Sequence, residues 1–120
     1  GFRYMPEHKA ALEWKPDIVI CNLGINDNGE YIKLRGVDFG TKGAKQFNIA
    51  AASTGGVTIN LRLDSNKGPV VGTITIGKTG SVEKYRIFSG KVKNATGVHD
   101  LYLCFDKANG NVHLDWWQFK

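Results

Sequence analysis

Apolar and polar residues alternate with a period of two along much of this chain, most regularly in Tyr31-Ile-Lys-Leu-Arg35, Thr58-Ile-Asn-Leu-Arg-Leu63, Gly72-Thr-Ile-Thr-Ile76 and Asp100-Leu-Tyr-Leu-Cys-Phe105. Successive side chains of a strand point to opposite faces, so this pattern predicts strands with one buried face. Turn signals separate them: Asn28-Gly29, Gly55-Gly56, Ser65-Asn-Lys-Gly68, Lys78-Thr-Gly80, Asn94-Ala-Thr-Gly97 and Ala108-Asn-Gly110. Fifteen glycines against three prolines fit many tight turns, because glycine enters left-handed conformations at no steric cost. Short strands so punctuated predict an all-β sandwich or barrel rather than an α/β fold.

The inward set on this reading is Ile32, Leu34, Phe47, Ile49, Ile59, Leu61, Leu63, Ile74, Ile76, Tyr85, Ile87, Leu101, Leu103, Phe105, Leu114 and Phe119. The opposite set includes Tyr31, Lys33, Asn60, Arg62, Lys84, Arg86 and Tyr102. A face carrying aromatics, amides and charges can hold a sugar chain by stacking and hydrogen bonds, and it can equally be a solvated face. The first residues break the pattern. Pro6 followed by Glu7-His-Lys-Ala-Ala-Leu-Glu-Trp14 predicts a short helix that Pro16 ends, and Asp17-Ile-Val-Ile-Cys21 reads as a buried strand. The chain thus divides into a leading segment, 1–21, and a β body, 22–120.

At 120 residues the chain has the length of one domain, and 42% hydrophobic with 22% charged residues is globular rather than disordered composition. The net charge of +5 raises nucleic acid as a partner, but the basic residues are spread along the chain with nothing denser than Lys91-Val-Lys93, so solvated charge is the better reading. Ile18 to Cys21, the longest apolar stretch, is far short of a membrane span, and any export signal is expected upstream or already removed. Cys21 and Cys104 permit one disulfide without demanding it, and no Cys/His spacing for zinc is present.

Four stretches carry a family resemblance: Asn22-Leu-Gly-Ile-Asn-Asp-Asn-Gly-Glu-Tyr-Ile32, Val37-Asp-Phe-Gly40, Ile59-Asn-Leu-Arg-Leu-Asp-Ser65, and Thr96-Gly-Val-His-Asp-Leu-Tyr-Leu103 with Leu114-Asp-Trp-Trp-Gln-Phe119. In this order and spacing, residues 22–119 resemble a family 6 carbohydrate-binding module. The resemblance implies a jelly-roll β-sandwich of two antiparallel sheets, with Asp100, Trp116 and Phe119 in its framework. It further implies a secreted or cell-surface location and non-catalytic binding of a polysaccharide or oligosaccharide beside a tethered catalytic domain. Xylan, arabinan, agarose or β-glucan are ligands of different members.

Such modules usually clamp a sugar ring between two loop aromatics. Here those positions are Ile25 and Val82, which lack a flat π-face, and the asparagine before the terminal D-W motif falls on Asn111 or His113. Some members use a second site on a sheet face, whose stacking aromatic matches Tyr31, with Lys33 and Asn60 as hydrogen-bonding groups. The candidate carbohydrate-binding residues are therefore Tyr31, Lys33, Asn60, Asn111 and His113. A structural calcium is also implied, with Asp115 and Glu13 as ligands; calcium takes about six to eight oxygens, and Lys15 replaces a second glutamate of the family pattern.

Lys15-Pro-Asp-Ile-Val-Ile-Cys-Asn-Leu-Gly-Ile-Asn-Asp27 is also similar to the G-x-N-D region of SGNH-type carbohydrate esterases, in which the Gly24 and Asn26 positions would stabilise an oxyanion. The G-D-S nucleophile and D-x-x-H base segments of that family are absent from the sequence, so no catalysis is expected in this chain. The alternatives to sugar binding are a sandwich that serves as an interdomain scaffold, or a fragment of such an esterase.

Overall fold

The alternating stretches form strands. The computed structural model describes residues 2–5, 19–23, 30–106 and 110–120, with side chains from residue 31 onward. It contains β1 (Phe2–Met5), β2 (Val19–Leu23), β3 (Glu30–Asp38), β4 (Gln46–Ser53), β5 (Val57–Leu63), β6 (Val70–Ile76), β7 (Arg86–Lys91), β8 (Val98–Asp106) and β9 (Gly110–Phe119). The helix expected over Pro6–Trp14 lies outside the described residues. Among those described, no helix is long and apolar enough to cross a membrane.

The strands assemble into a five-stranded sheet, β1-β3-β8-β5-β6, and a four-stranded sheet, β2-β9-β4-β7. All pairings are antiparallel except the edge strand β1, which runs parallel to β3. This is the expected two-sheet β-sandwich. Residues of the leading segment contribute a strand to each of its sheets, β1 to one and β2 to the other.

Burial follows the period-two pattern. In β5 every second residue, Val57, Ile59, Leu61 and Leu63, is buried and the intervening ones are half-exposed. The core packs Ile32, Leu34, Leu101, Leu103 and Phe105 of the five-stranded sheet against Phe47, Ile49, Leu114, Trp117 and Phe119 of the other. Phe119 meets Phe39 edge-on at 5.2 Å and Phe47 at 4.7 Å between ring centroids. At full burial each large aliphatic or aromatic side chain contributes about 1.5–3 kcal/mol, so this layer dominates stability.

Two expectations about the core are corrected. Ile87 is 64% exposed. Phe88 takes its place, because β7 pairs Phe88 with core-facing Ile49, and directly opposed residues share a face. Tyr85 precedes β7 and is half-buried rather than in the core. The framework tryptophan is also shifted: Trp117 is fully buried, whereas Trp116 is half-buried on the other face. Ala50 pairs with Trp116 but Ala51 with Leu114, so Asp115 is the extra residue of a β-bulge that reverses the parity of β9.

One edge of the sandwich is closed by β7 itself. Beyond Lys91 the chain leaves β4 and bridges β6 through Gly72 and Val92, and Lys93 N–H donates to Val71 O at 2.9 Å. Gly90 makes this crossing possible, since a Cβ there would lie 2.8 Å from both Ile74 Cγ1 and Thr73 O.

Candidate functional site

The outer face of the five-stranded sheet gathers the chemistry. Strand register sets Tyr31, Cys104, Asn60 and Thr73 side by side across β3, β8, β5 and β6. The neighbouring row is Lys33, Tyr102, Arg62 and Val70. Strand β1 places Phe2 and Tyr4 at the register positions beside Tyr31 and Lys33. Three of the five expected sugar-binding residues, Tyr31, Lys33 and Asn60, are thus brought to one face.

Tyr31 is half-exposed and lies against Tyr102, with ring centroids 5.4 Å apart and planes tilted by 54°. Lys33 Nζ sits 5.5 Å from the Tyr102 ring centroid and 3.8 Å from Asp100 Oδ2. A hydrogen bond to the Tyr102 side chain, with lesser attraction from Tyr102 and Asp100, holds the Lys33 ammonium above the ordinary lysine value, against partial desolvation. Asp100 is braced in turn, because its Oδ1 accepts the Gly36 N–H at 3.0 Å in the bulge of β3 between Leu34 and Val37.

Asn60 is committed on both sides. Its Nδ2 donates to Asp106 Oδ2, and its Oδ1 accepts the Thr73 hydroxyl at 2.8 Å. It therefore orients Asp106 and Thr73 and keeps one N–H and one lone pair for a ligand. Arg62 Nη1 is held by Gly68 O at 2.7 Å. The face presents an aromatic surface beside an ammonium, a carboxylate, an amide and a hydroxyl, the mixture that stacks on a sugar ring and hydrogen-bonds its hydroxyls.

Tyr102, Asp106 and Thr73 join this group although the sequence reading assigned them no ligand role. The parity signal was present, because Asp100, Tyr102, Cys104 and Asp106 alternate with core Leu101, Leu103 and Phe105, although Tyr102 and Cys104 are themselves buried by neighbours on the outer face. Cys104 is a free thiol on this outer face, while Cys21 sits opposite core-facing Val112 in the other sheet. Burial pushes the Cys104 thiol up, against a lowering influence from Arg62.

Asn111 and His113 lie elsewhere, on β9 of the four-stranded sheet. Asn111 is exposed and is tied to the β4–β5 turn: its N–H donates to Thr54 Oγ1 at 3.0 Å and its O accepts Thr54 N–H at 3.1 Å. His113 is half-buried opposite Ala52. Val82 is half-buried in a loop that Thr79 pins to the same end. The Thr79 hydroxyl accepts the Ser53 N–H at 2.9 Å and donates to Ser81 O at 2.9 Å. Ile25 lies outside the described residues, as do Glu13 and the Gly24-Ile-Asn-Asp27 motif. Asp115 is half-buried at the β9 bulge, and its charge, after burial, helps raise the Tyr85 phenol above its ordinary value. Among the described residues no three His, Cys, Asp or Glu side chains group as metal ligands.

A two-sheet sandwich that carries half-exposed Tyr31 against buried Tyr102, among hydrogen-bonding side chains, has the architecture of a binding module. The chain belongs to carbohydrate binding module family 6, whose sequence model matches residues 12–120. It is 41% identical over 104 residues to an arabinoxylan arabinofuranohydrolase of Paenibacillus polymyxa, a match that takes in 83% of this chain and 16% of that enzyme. Among solved structures, a family 6 module of Clostridium cellulolyticum in complex with xylose superimposes with a TM-score of 0.78 at 29% identity, covering 94% of this chain and 99% of that one. A family 6 module of Clostridium stercorarium in complex with cellobiose gives a TM-score of 0.72 at 34% identity, over 90% and 85% of the two chains. Membership makes this a binding module rather than an enzyme.

Proposed function

We propose that this chain holds a polysaccharide-degrading enzyme against xylan-type glycans, with Tyr31 and its neighbours on the five-stranded sheet as the sugar platform. The observation that carries the reading is the row formed by Tyr31 and Asn60, flanked by Tyr102 and completed by the Asn60-held Asp106 and Thr73. Support for the ligand class comes from the arabinoxylan-acting relative and from the xylose and cellobiose complexes. Binding need only be modest, because tethering raises the local concentration of an attached catalytic domain. Enzymes that degrade such polysaccharide meet it outside the cell, so the parent protein is read as secreted or cell-surface.

Nuclear magnetic resonance titration with a soluble xylo-oligosaccharide tests the location. Shifts are expected at Tyr31, Lys33, Asn60, Tyr102 and Asp106. Shifts confined to Thr54, Thr79 to Val82 and Asn111 to His113 would instead put the sugar at the loop end and refute the sheet-face assignment. The aliphatic Val82 in place of a stacking aromatic favours an inactive loop end, and no binding at either place would leave the scaffold reading.

A structural calcium is the ion the family resemblance implies, and we read Asp115, a hard oxygen donor at the bulge, as one carboxylate that would hold it and Glu13 as the other. Removing calcium with a chelator is then expected to lower the melting temperature of wild type and not of Asp115→Ala; equal curves with and without chelator refute the ion. The esterase-like motif of residues 24–27 falls within the span matched by the binding-module family, and the neighbouring Val19–Leu23 is a strand paired with β9, both of which support a module segment over an esterase fragment.

A further inference from the structure

A cavity of about 870 Å³ opens at the end of the four-stranded sheet where β7 parts from β4. Lys45, Gln46, Ser89, Lys91, Lys93 and Asn94 line it, and none of its lining residues is acidic or aromatic. Its size falls within the roughly 300–1,000 Å³ of small-molecule sites. Backbone contacts bring the three lysines to this end of the sheet, Lys91 and Lys93 on one side of their strand and Lys45 opposite the buried Val92 between them. Lys91 pairs with Gln46, Val92 N–H donates to Lys45 O at 2.9 Å, and the buried Val92 side chain anchors the strand so that Lys91 and Lys93 share its exposed side. A fourth lysine joins this end, since Lys45 and Gln46 N–H groups donate to Lys120 O at 2.6 and 2.9 Å.

None of Lys45, Lys91 and Lys93 is ion-paired with a described residue; the described lysine pair is Lys33 with Asp100, on the other sheet. Three lysines that line one concavity, none ion-paired with a described residue, give it a positive potential that an anion relieves. Gln46, Ser89 and Asn94 add neutral hydrogen-bonding groups suited to hydroxyls. The absence of an aromatic from the lining speaks against single-stranded nucleic acid, which binds largely by base stacking. The cavity is separate from the Tyr31 face, whose strand β3 belongs to the other sheet, and from the loop end: it lies at the Gln46 end of β4, whereas Thr54 and Asn111 lie beyond the Ser53 end.

We infer that this cavity is a second, independent site that takes an anionic substituent of a polysaccharide, a uronic acid carboxylate or a sulfate ester. The choice of a polysaccharide rests on the sugar-binding reading; the choice of an anion rests on the cavity alone. A chain gripped at the sheet face by stacking and at the sheet end by charge would be selected for its acidic side groups as well as its backbone.

The test measures affinity of the whole chain for three probes: a xylan bearing uronic acid side groups, the same xylan after carboxyl reduction, and a sulfated xylan. Three exposed lysine contacts predict about a fivefold preference for the carboxylated over the reduced form, shrinking as salt is added. Lys91→Glu with Lys93→Glu, both exposed positions, is expected to erase that preference while leaving affinity for the reduced xylan unchanged. Tyr31→Ala is expected to weaken carboxylated and reduced forms alike and leave their ratio intact, so failure of the sheet-face reading is seen in the reduced probe and failure of this one in the ratio. A stronger preference for the sulfated chain, lost in the same lysine variant, supports the site and names sulfate as its anion. No preference in wild type, a preference that survives the double substitution, or equal retention of single-stranded DNA overturns the inference.

Discussion

Removing the Tyr31 ring tests the sugar platform most directly. Tyr31→Ala deletes the half-exposed ring that leans on Tyr102 at 5.4 Å. A sugar ring covering ~50 Å² of that surface, at about 25 cal/mol per Å², contributes ~1.2 kcal/mol, or about sevenfold in Kd. Folding should also lose the Tyr31–Tyr102 contact, about 0.5–1.5 kcal/mol, within the stability margin of an ordinary domain. Tyr31→Phe retains the ring and should lose clearly less than Tyr31→Ala, because a half-exposed hydroxyl's bond to the sugar falls at the low end of a hydrogen bond's net worth, about 0.5 kcal/mol or twofold, once water replaces it. Val82→Ala, at the loop end, should leave affinity unchanged. Isothermal titration with a xylo-oligosaccharide reads Kd, and urea unfolding confirms that each variant is folded. An unchanged Kd in a folded Tyr31→Ala variant refutes the reasoning, as does an equal loss in Tyr31→Phe, which would make the hydroxyl rather than the ring decisive.

The adjacent tryptophans should behave differently: Trp117→Ala is expected to cost about 3–5 kcal/mol in urea unfolding and half-buried Trp116→Ala clearly less, with Trp117→Phe as a milder variant should the first not fold; equal losses would contradict the bulge at Asp115. Thr79→Val leaves the Ser53 amide and Ser81 carbonyl without their buried hydroxyl partner and should cost about 1–3 kcal/mol, with faster amide exchange across Gly77–Lys84; an unchanged exchange pattern would show that another contact holds the loop. Cys104, raised by burial, should react slowly with a thiol reagent at pH 8 until the chain is unfolded. Its contribution to stability is complete below the unfolded thiol value of about 8.5 and is lost as pH rises through the higher folded value, so Cys104→Ser should flatten the fall in stability above that pH; parallel wild-type and variant profiles would refute it.

The sequence alone located β3, β5, β6 and β8 and told which residues of each face the core, because a strand's two-residue repeat is local and each segment alternates. For the same reason it put Tyr31, Lys33 and Asn60 on an outward face. That Tyr102 and Cys104 on the other side of β8 are buried as well came only from their neighbours in the sheet. Where two apolar residues are adjacent, local pattern is silent. Ile87 against Phe88 was decided by pairing with Ile49, and Trp116 against Trp117 by the extra residue at Asp115. Neighbours across strands are equally out of reach of a local signal: Tyr102 beside Tyr31, and Asp106 with Thr73 on either side of Asn60, follow from register between segments distant in the chain. The lysines make the point most sharply. Read along the chain they are scattered, and Lys45 is far from Lys91 and Lys93. Only the pairing of β4 with β7 gathers their charge around one cavity, because electrostatic potential depends on distance in space and not on separation in sequence.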